Sequence, residues 1–132
     1  MKKMTAAILA ILMSLLLNAC GATPSPVVHT QTSGSLTATL EVLPFPPAPM
    51  EDTTLELTLR DSDQRAVSSA LVVFDLTMPA MEMPANRPQA TEEESGTYRA
   101  KAIFTMAGEW QIRVEVSYQG QDEEFLFPLH TR

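Results

Sequence analysis

The sequence predicts an all-β domain, an immunoglobulin-like antiparallel β-sandwich of about seven short strands. Three observations carry that expectation. Apolar residues recur with period two in successive segments. Turn signals separate those segments. No stretch of residues 35–129 carries the i, i+3, i+4 spacing of an amphipathic helix.

The strands follow in order. Leu36, Ala38, Leu40 and Val42 alternate with polar residues and give the first. Residues 44–49 hold four prolines, which cannot donate to a ladder, so this is an extended connection. Leu55, Leu57 and Leu59 give the second strand, and residues 61–64 (Asp-Ser-Asp-Gln) a turn. Residues 71–76 (Leu-Val-Val-Phe-Asp-Leu) are almost continuously apolar, as in a strand buried on both faces. A weak edge strand is expected at 87–91 and a turn at 92–96. Tyr98, Ala100, Ala102 and Phe104 alternate again. Trp110, Ile112, Val114, Val116 and Tyr118 are the cleanest alternation in the chain. Gln119-Gly120-Gln121 is a hairpin signal, and Phe125, Phe127 and Leu129 complete the set. Trp110, Ile112, Val114, Phe74 and Phe104 are expected in the core.

The N-terminal residues have a different character. Lys2 and Lys3 precede an apolar run over residues 6–17, interrupted only by Ser14. That run is shorter than the ~20 residues a spanning helix needs and has the length of an export signal. It closes on Leu17-Asn18-Ala19-Cys20, which resembles the bacterial lipobox. The resemblance implies cleavage before Cys20, a thioether from its sulfur to diacylglycerol, and acylation of the new amine. Cys20 is the sole cysteine, and lipidation would consume a thiol otherwise left free in an oxidising compartment. The alternative is an ordinary signal peptide with a chance cysteine. The expected organisation is signal 1–19, lipidated cysteine and tether 20–34, and domain 35–132, held in the cell envelope. Gly21, rather than Asp, favours the outer membrane where a host has two.

Removing Lys2 and Lys3 leaves 7 basic against 16 acidic residues, a mature charge of −9. Such a chain is a poor ligand for nucleic acid or for an anionic membrane surface.

Three motifs in fixed order give a family resemblance: Met78-Pro79-Ala80-Met81-Glu82-Met83, then Gly96-Thr97-Tyr98-Arg99-Ala100, then Phe104-Thr105-Met106-Ala107-Gly108-Glu109-Trp110-Gln111-Ile112. Together they resemble the YtkA-like domain family over about residues 35–129. The resemblance implies an immunoglobulin-like sandwich in an exported protein, with relatives near copper-handling proteins. Residues 63–67 depart from the family, whose members tend to carry Gly and Pro at this turn.

Enzyme chemistry is not expected. His29 falls in the tether and His130 near the end of the chain, and there is no nucleophile elbow and no phosphate loop. The methionines are more informative. Met78, Met81 and Met83 are the principal candidate ligands, with Met50, Met106 and His130 as secondary ones. A thioether is soft, neutral and unable to form a disulfide, which suits Cu(I) outside the cytoplasm. Met81 and Met83, two apart, share a side of an extended chain, and Met78 joins them only through a bend at Pro79. The same residues are also adaptable packing material, or a contact for a protein partner in a non-catalytic accessory or adhesion module.

Alternating loops of an antiparallel sandwich collect at common ends. Met50, Met78–Met83, Met106 and His130 then share one pole. Asp61, Asp63, Glu92–Glu94 and Asp122–Glu124 share the other, as solvated charge or, less suitably, a Ca²⁺ site without the usual loop spacing. With seven strands the tether meets the domain at the acidic pole, and the methionine pole points away from the membrane. It could then meet a metal donor or acceptor.

Overall fold

The computed structural model describes residues 28–132. Eight antiparallel strands form two sheets: β1 (Val28–Ser33), β2 (Leu36–Leu43), β3 (Asp52–Arg60), β4 (Leu71–Thr77), β5 (Thr91–Glu94), β6 (Thr97–Ile103), β7 (Gly108–Tyr118) and β8 (Gln121–Thr131). One sheet has the order β1-β2-β3-β6-β5 and the other β4-β7-β8. No helix occurs among the described residues. The expected sandwich is present, with one strand more than the apolar pattern gives.

The core lies between the sheets. Alternate residues of β2, β3, β6, β7 and β8 point inward and are buried, and Trp110, Ile112, Val114, Phe74 and Phe104 are all at or below 2% exposure. Trp110 meets Phe104 edge-to-face, with ring centroids 5.1 Å apart, a geometry worth about 0.5–1.5 kcal/mol beyond area burial. The indole N–H donates to the Met106 carbonyl at 3.0 Å. Tyr98 is fixed at both ends of its ring: buried among the sheets, its hydroxyl donates to the Val67 carbonyl at 2.7 Å and accepts from the Ala70 N–H at 3.1 Å.

Three expectations are corrected. The segment expected to be tether contains β1, which pairs with β2 from Val28–Glu41 to Ser33–Leu36. Its apolar pattern is absent because its inward positions meet polar groups of β8, not the core. The Gln31 side-chain amide accepts from the Leu126 N–H and donates to the Leu126 carbonyl, standing in for a strand partner. Ser33 Oγ donates to Glu123 at 2.6 Å. The outward positions are β-branched, and Thr30 and Thr32 sit opposite Thr39 and Thr37.

The weak strand expected at 87–91 is displaced. Residues 86–90 instead run beside β4: Phe74 N–H donates to the Pro88 carbonyl, Leu76 N–H to Asn86, and Ala90 N–H to Val72, each at 2.9 Å. Pro84 and Pro88 have no N–H, so the ladder stays partial. The chain then crosses to the other sheet and pairs as β5 with β6. The turn shrinks to the Ser95–Gly96 region, where Gly96 has φ +78° and an added Cβ would lie 2.9 Å from that of Ala66.

β4 is also buried on one face only. Val72, Phe74 and Leu76 are in the core, whereas Leu71 is 49% exposed. Asp75 on the outer face stands opposite Arg113 of β7.

Candidate functional site

The connections sort to two ends, as antiparallel pairing demands. At one end lie the β2–β3 connection, the β4–β5 connection, the β6–β7 turn and the last residues of β8. Backbone bonds tie these segments together. Met50 N–H donates to the Phe104 carbonyl at 2.7 Å, and Arg132 N–H to the Pro47 carbonyl at 3.2 Å. Thr131 Oγ1 donates to the Met106 carbonyl at 2.8 Å, and Asn86 Nδ2 to the Ile103 carbonyl at 3.0 Å. The methionine pole therefore exists as a bonded unit.

The methionines within it are not equivalent. Met78 belongs to the core at 9% exposure, and an added Cβ on Gly108 would come within 3.2 Å of its methyl carbon. Met81 N–H donates to the Met78 carbonyl at 3.2 Å. Residues 78–81 thus form a turn, the bend that Pro79 was expected to supply. Met81 points outward at 49% exposure, while Met83 packs partly buried against the core. Met50 and Met106 are 70% and 40% exposed. His130 sits on the outer face of β8, its Nδ1 2.7 Å from Glu109 Oε1, and both side chains are well solvated. Cys20 lies outside the described residues.

Sequence reasoning missed the apolar surroundings of these residues. A groove of about 340 Å³ runs between residues 83–86 and the end of β6, lined by Met83, Pro84, Ala85, Asn86, Ile103 and Thr105. Ile103, within this lining, is 43% exposed. The available signal was Ile103, an apolar residue at an outward position of an otherwise regular alternation. β5 pairs only with Thr97–Arg99 of β6, so the edge of β6 beyond Arg99 borders this groove without a strand partner among the described residues.

The acidic pole is structurally occupied. Asp61 Oδ1 accepts from the N–H groups of Asp63 and Arg65 at 2.9 and 3.0 Å. These backbone bonds, with the Arg65 guanidinium, hold its carboxyl below the ordinary range despite some opposing desolvation. Glu92 accepts from the Ser69 and Gly96 N–H groups at 3.0 and 3.2 Å, which lowers its pKa in the same way. Two of the carboxylates offered as Ca²⁺ ligands therefore brace turns. Among the described residues no three His, Cys, Asp or Glu side chains are grouped as a metal site.

The sequence profile described as YtkA-like matches residues 30–115, which runs from β1 into β7. The chain belongs to the YtkA-like family. None of the curated proteins matches it. Among solved structures, a DUF4426 family protein from Pseudomonas aeruginosa PAO1 is similar, with a TM-score of 0.57 and 13% identity over 78% of this chain and 93% of that one. At that identity the likeness is one of fold. The YtkA-like motifs map onto the structure coherently: the methionine segment forms the rim of one pole, Tyr98 the clamp, and the Met106–Trp110 turn the bonded base of that pole.

Proposed function

We propose that this chain is an exported lipoprotein, anchored through diacylglycerol on Cys20, whose YtkA-like domain binds Cu(I) or another soft metal at its methionine pole. One observation supports the metal reading above others. Methionine in a small sandwich has every reason to be buried, yet Met50, Met81 and Met106 stand 40–70% exposed at one pole. Thioethers held in solvent are soft donors that neither titrate nor oxidise to disulfides. Met81 and Met83 are the principal ligands, with Met50 and Met106 within the same bonded pole. Met78, in the core, serves first as packing. His130, held by Glu109, is a peripheral donor.

The reading is that of a binding module. Among the described residues its histidine–carboxylate pair, His130 with Glu109, is solvated at the end of β8 and the start of β7. The envelope location follows from the export signal, and Gly21 favours the outer membrane in a two-membrane host.

The deciding experiment is a Cu(I) titration of the protein against a competing chelator, with the Met81→Leu/Met83→Leu double variant beside it. The swap roughly conserves volume and should cost less than about 1.5 kcal/mol per site. Affinity is expected to fall sharply while the urea midpoint barely moves. Equal binding by both proteins, or binding by neither, removes the metal reading.

A second reading has its own observation. The Met83–Thr105 groove, next to an unpaired strand edge, suits an extended segment of a protein partner. Such binding would survive loss of the thioethers in the Leu variant, because the apolar lining remains.

A further inference from the structure

We infer that the methionine pole lies against the bilayer that holds the anchor, with its apolar rim in contact with phospholipid. The inference rests on the proposed lipidation of Cys20. The first observation is the direction of β1. Val28 stands opposite Glu41, near the end of β2 from which the chain enters the methionine pole, and β1 runs from there toward the acidic pole. The chain therefore leaves the domain for Cys20 at the methionine pole, opposite to the expectation from seven strands.

The second observation is length. Only residues 21–27 separate Cys20 from Val28. A segment of that length spans at most about 28 Å when fully extended. Turning the acidic pole to the membrane would require it to run back along β1, about 17 Å, and past the β7–β8 tip, which projects about 10 Å beyond the Ser33–Glu123 contact. That path uses the whole contour.

The third observation is the surface. Six of the eight exposed large apolar side chains among the described residues are at this pole: Val28, Leu43, Met50, Met81, Ile103 and Met106. The opposite pole carries Asp61, Asp63, Glu92–Glu94 and Asp122–Glu124. Glu51, Asp52, Glu82 and Glu109 lie at the methionine pole as well, so both ends carry acid, but the eight carboxylates of the opposite pole make it the less suited of the two to an anionic membrane surface. Metal exchange at the methionines would then take place at the membrane surface.

The test uses the full chain made in an exporting bacterium, with the mass on Cys20 measured, reconstituted into phosphatidylcholine vesicles with or without brominated acyl chains. Met81→Trp reports the methionine pole and Ser62→Trp the acidic pole, over the constant background of buried Trp110. Bromine is expected to remove at least about half of the added Met81→Trp emission and to leave Ser62→Trp unchanged, because the latter sits about a strand length, ~30 Å, from the lipid. Quenching at Ser62→Trp, or at neither position, overturns the inference. A flexible insertion of about 20 residues after Gly21 should leave the Met81→Trp quenching in place; its loss would show that the rim does not hold lipid. If Cys20 carries no lipid, the anchor reading fails by itself. The two tryptophan variants, with Cys20 coupled to a maleimide phospholipid, still decide which pole meets the bilayer.

Discussion

Replacing Tyr98 with Phe removes one oxygen and strands two backbone groups. The hydroxyl donates to the Val67 carbonyl at 2.7 Å and accepts from the Ala70 N–H at 3.1 Å. Val67 is buried and Ala70 half-buried, so the first group cannot recover its bond from water and the second can do so in part. Leaving a buried polar group unsatisfied costs about 1–3 kcal/mol; one such loss and a fraction of another give about 2–3 kcal/mol. With a urea m-value of about 1–3 kcal/mol/M, the midpoint should fall by roughly 1 M. Alkaline pH supplies an independent check. Burial raises the Tyr98 pKa above the ordinary phenol value of 10.0 against the opposing Ala70 bond. The folded state therefore holds the phenol proton after the unfolded chain has lost it. That stabilisation is complete below pH ~10 and is lost as pH rises through the raised value. Wild type should lose stability across this window, and Tyr98→Phe should lose less. A midpoint shift below about 0.3 M, or identical alkaline profiles, would refute the idea that this hydroxyl clamps the 67–70 segment to the core.

Met78→Ala should destabilise by about 2–5 kcal/mol as a core truncation, whereas Met81→Ala should stay within about 0.5 kcal/mol; urea melts of the two single variants separate packing from exposed function. Gly108 has φ +132°, so Gly108→Ala should cost about 1–3 kcal/mol in backbone strain. The nearby Met78 methyl can move aside, and a double-mutant cycle with Met78→Ala should show coupling below about 0.5 kcal/mol. Glu92 is held below its ordinary pKa by backbone donors; its contribution is present above pH ~4.5 and lost as pH falls through the depressed value. Glu92→Gln should flatten the acid limb of the stability profile, measured by fluorescence-detected unfolding.

The strands with apolar alternation were legible because one face meets the core at every second residue; Leu36–Val42 and Trp110–Tyr118 are the clearest examples. The clustering of methionine-bearing loops at one pole was legible for a topological reason, since antiparallel pairing fixes which connections share an end. Sequence alone could not separate the roles of Met78, Met81 and Met83. Their burial is decided by the 78–81 turn and by Gly108, and neither changes the local composition. The weak edge strand expected at 87–91 falls instead at Thr91–Glu94, because Pro84 and Pro88 leave the segment before it only a partial ladder beside β4. A segment whose carbonyls pair with β4 has the composition of a loop.

β1 shows how a small omission can reverse a functional conclusion. Its inward residues are His29, Gln31 and Ser33, with no apolar pattern to detect, because two of them bond β8 instead of filling the core. In an antiparallel fold each added strand exchanges the pole at which the chain arrives. With seven strands the tether would meet the acidic end. With eight strands the chain enters the domain at Val28 from the methionine end. Under the proposed lipidation of Cys20, the same six residues bear on whether the exposed thioethers face solvent or lipid, although none of them belongs to the proposed methionine site. Shortening the strand by replacing Gln31 with Ala, which removes both bonds to Leu126, should lower backbone exchange protection over 28–33 while leaving that of β7 intact. The result would show that one side-chain amide, acting as a strand partner, holds β1 against β8; unchanged protection over 28–33 would place the hold on β1 in its pairing with β2 alone.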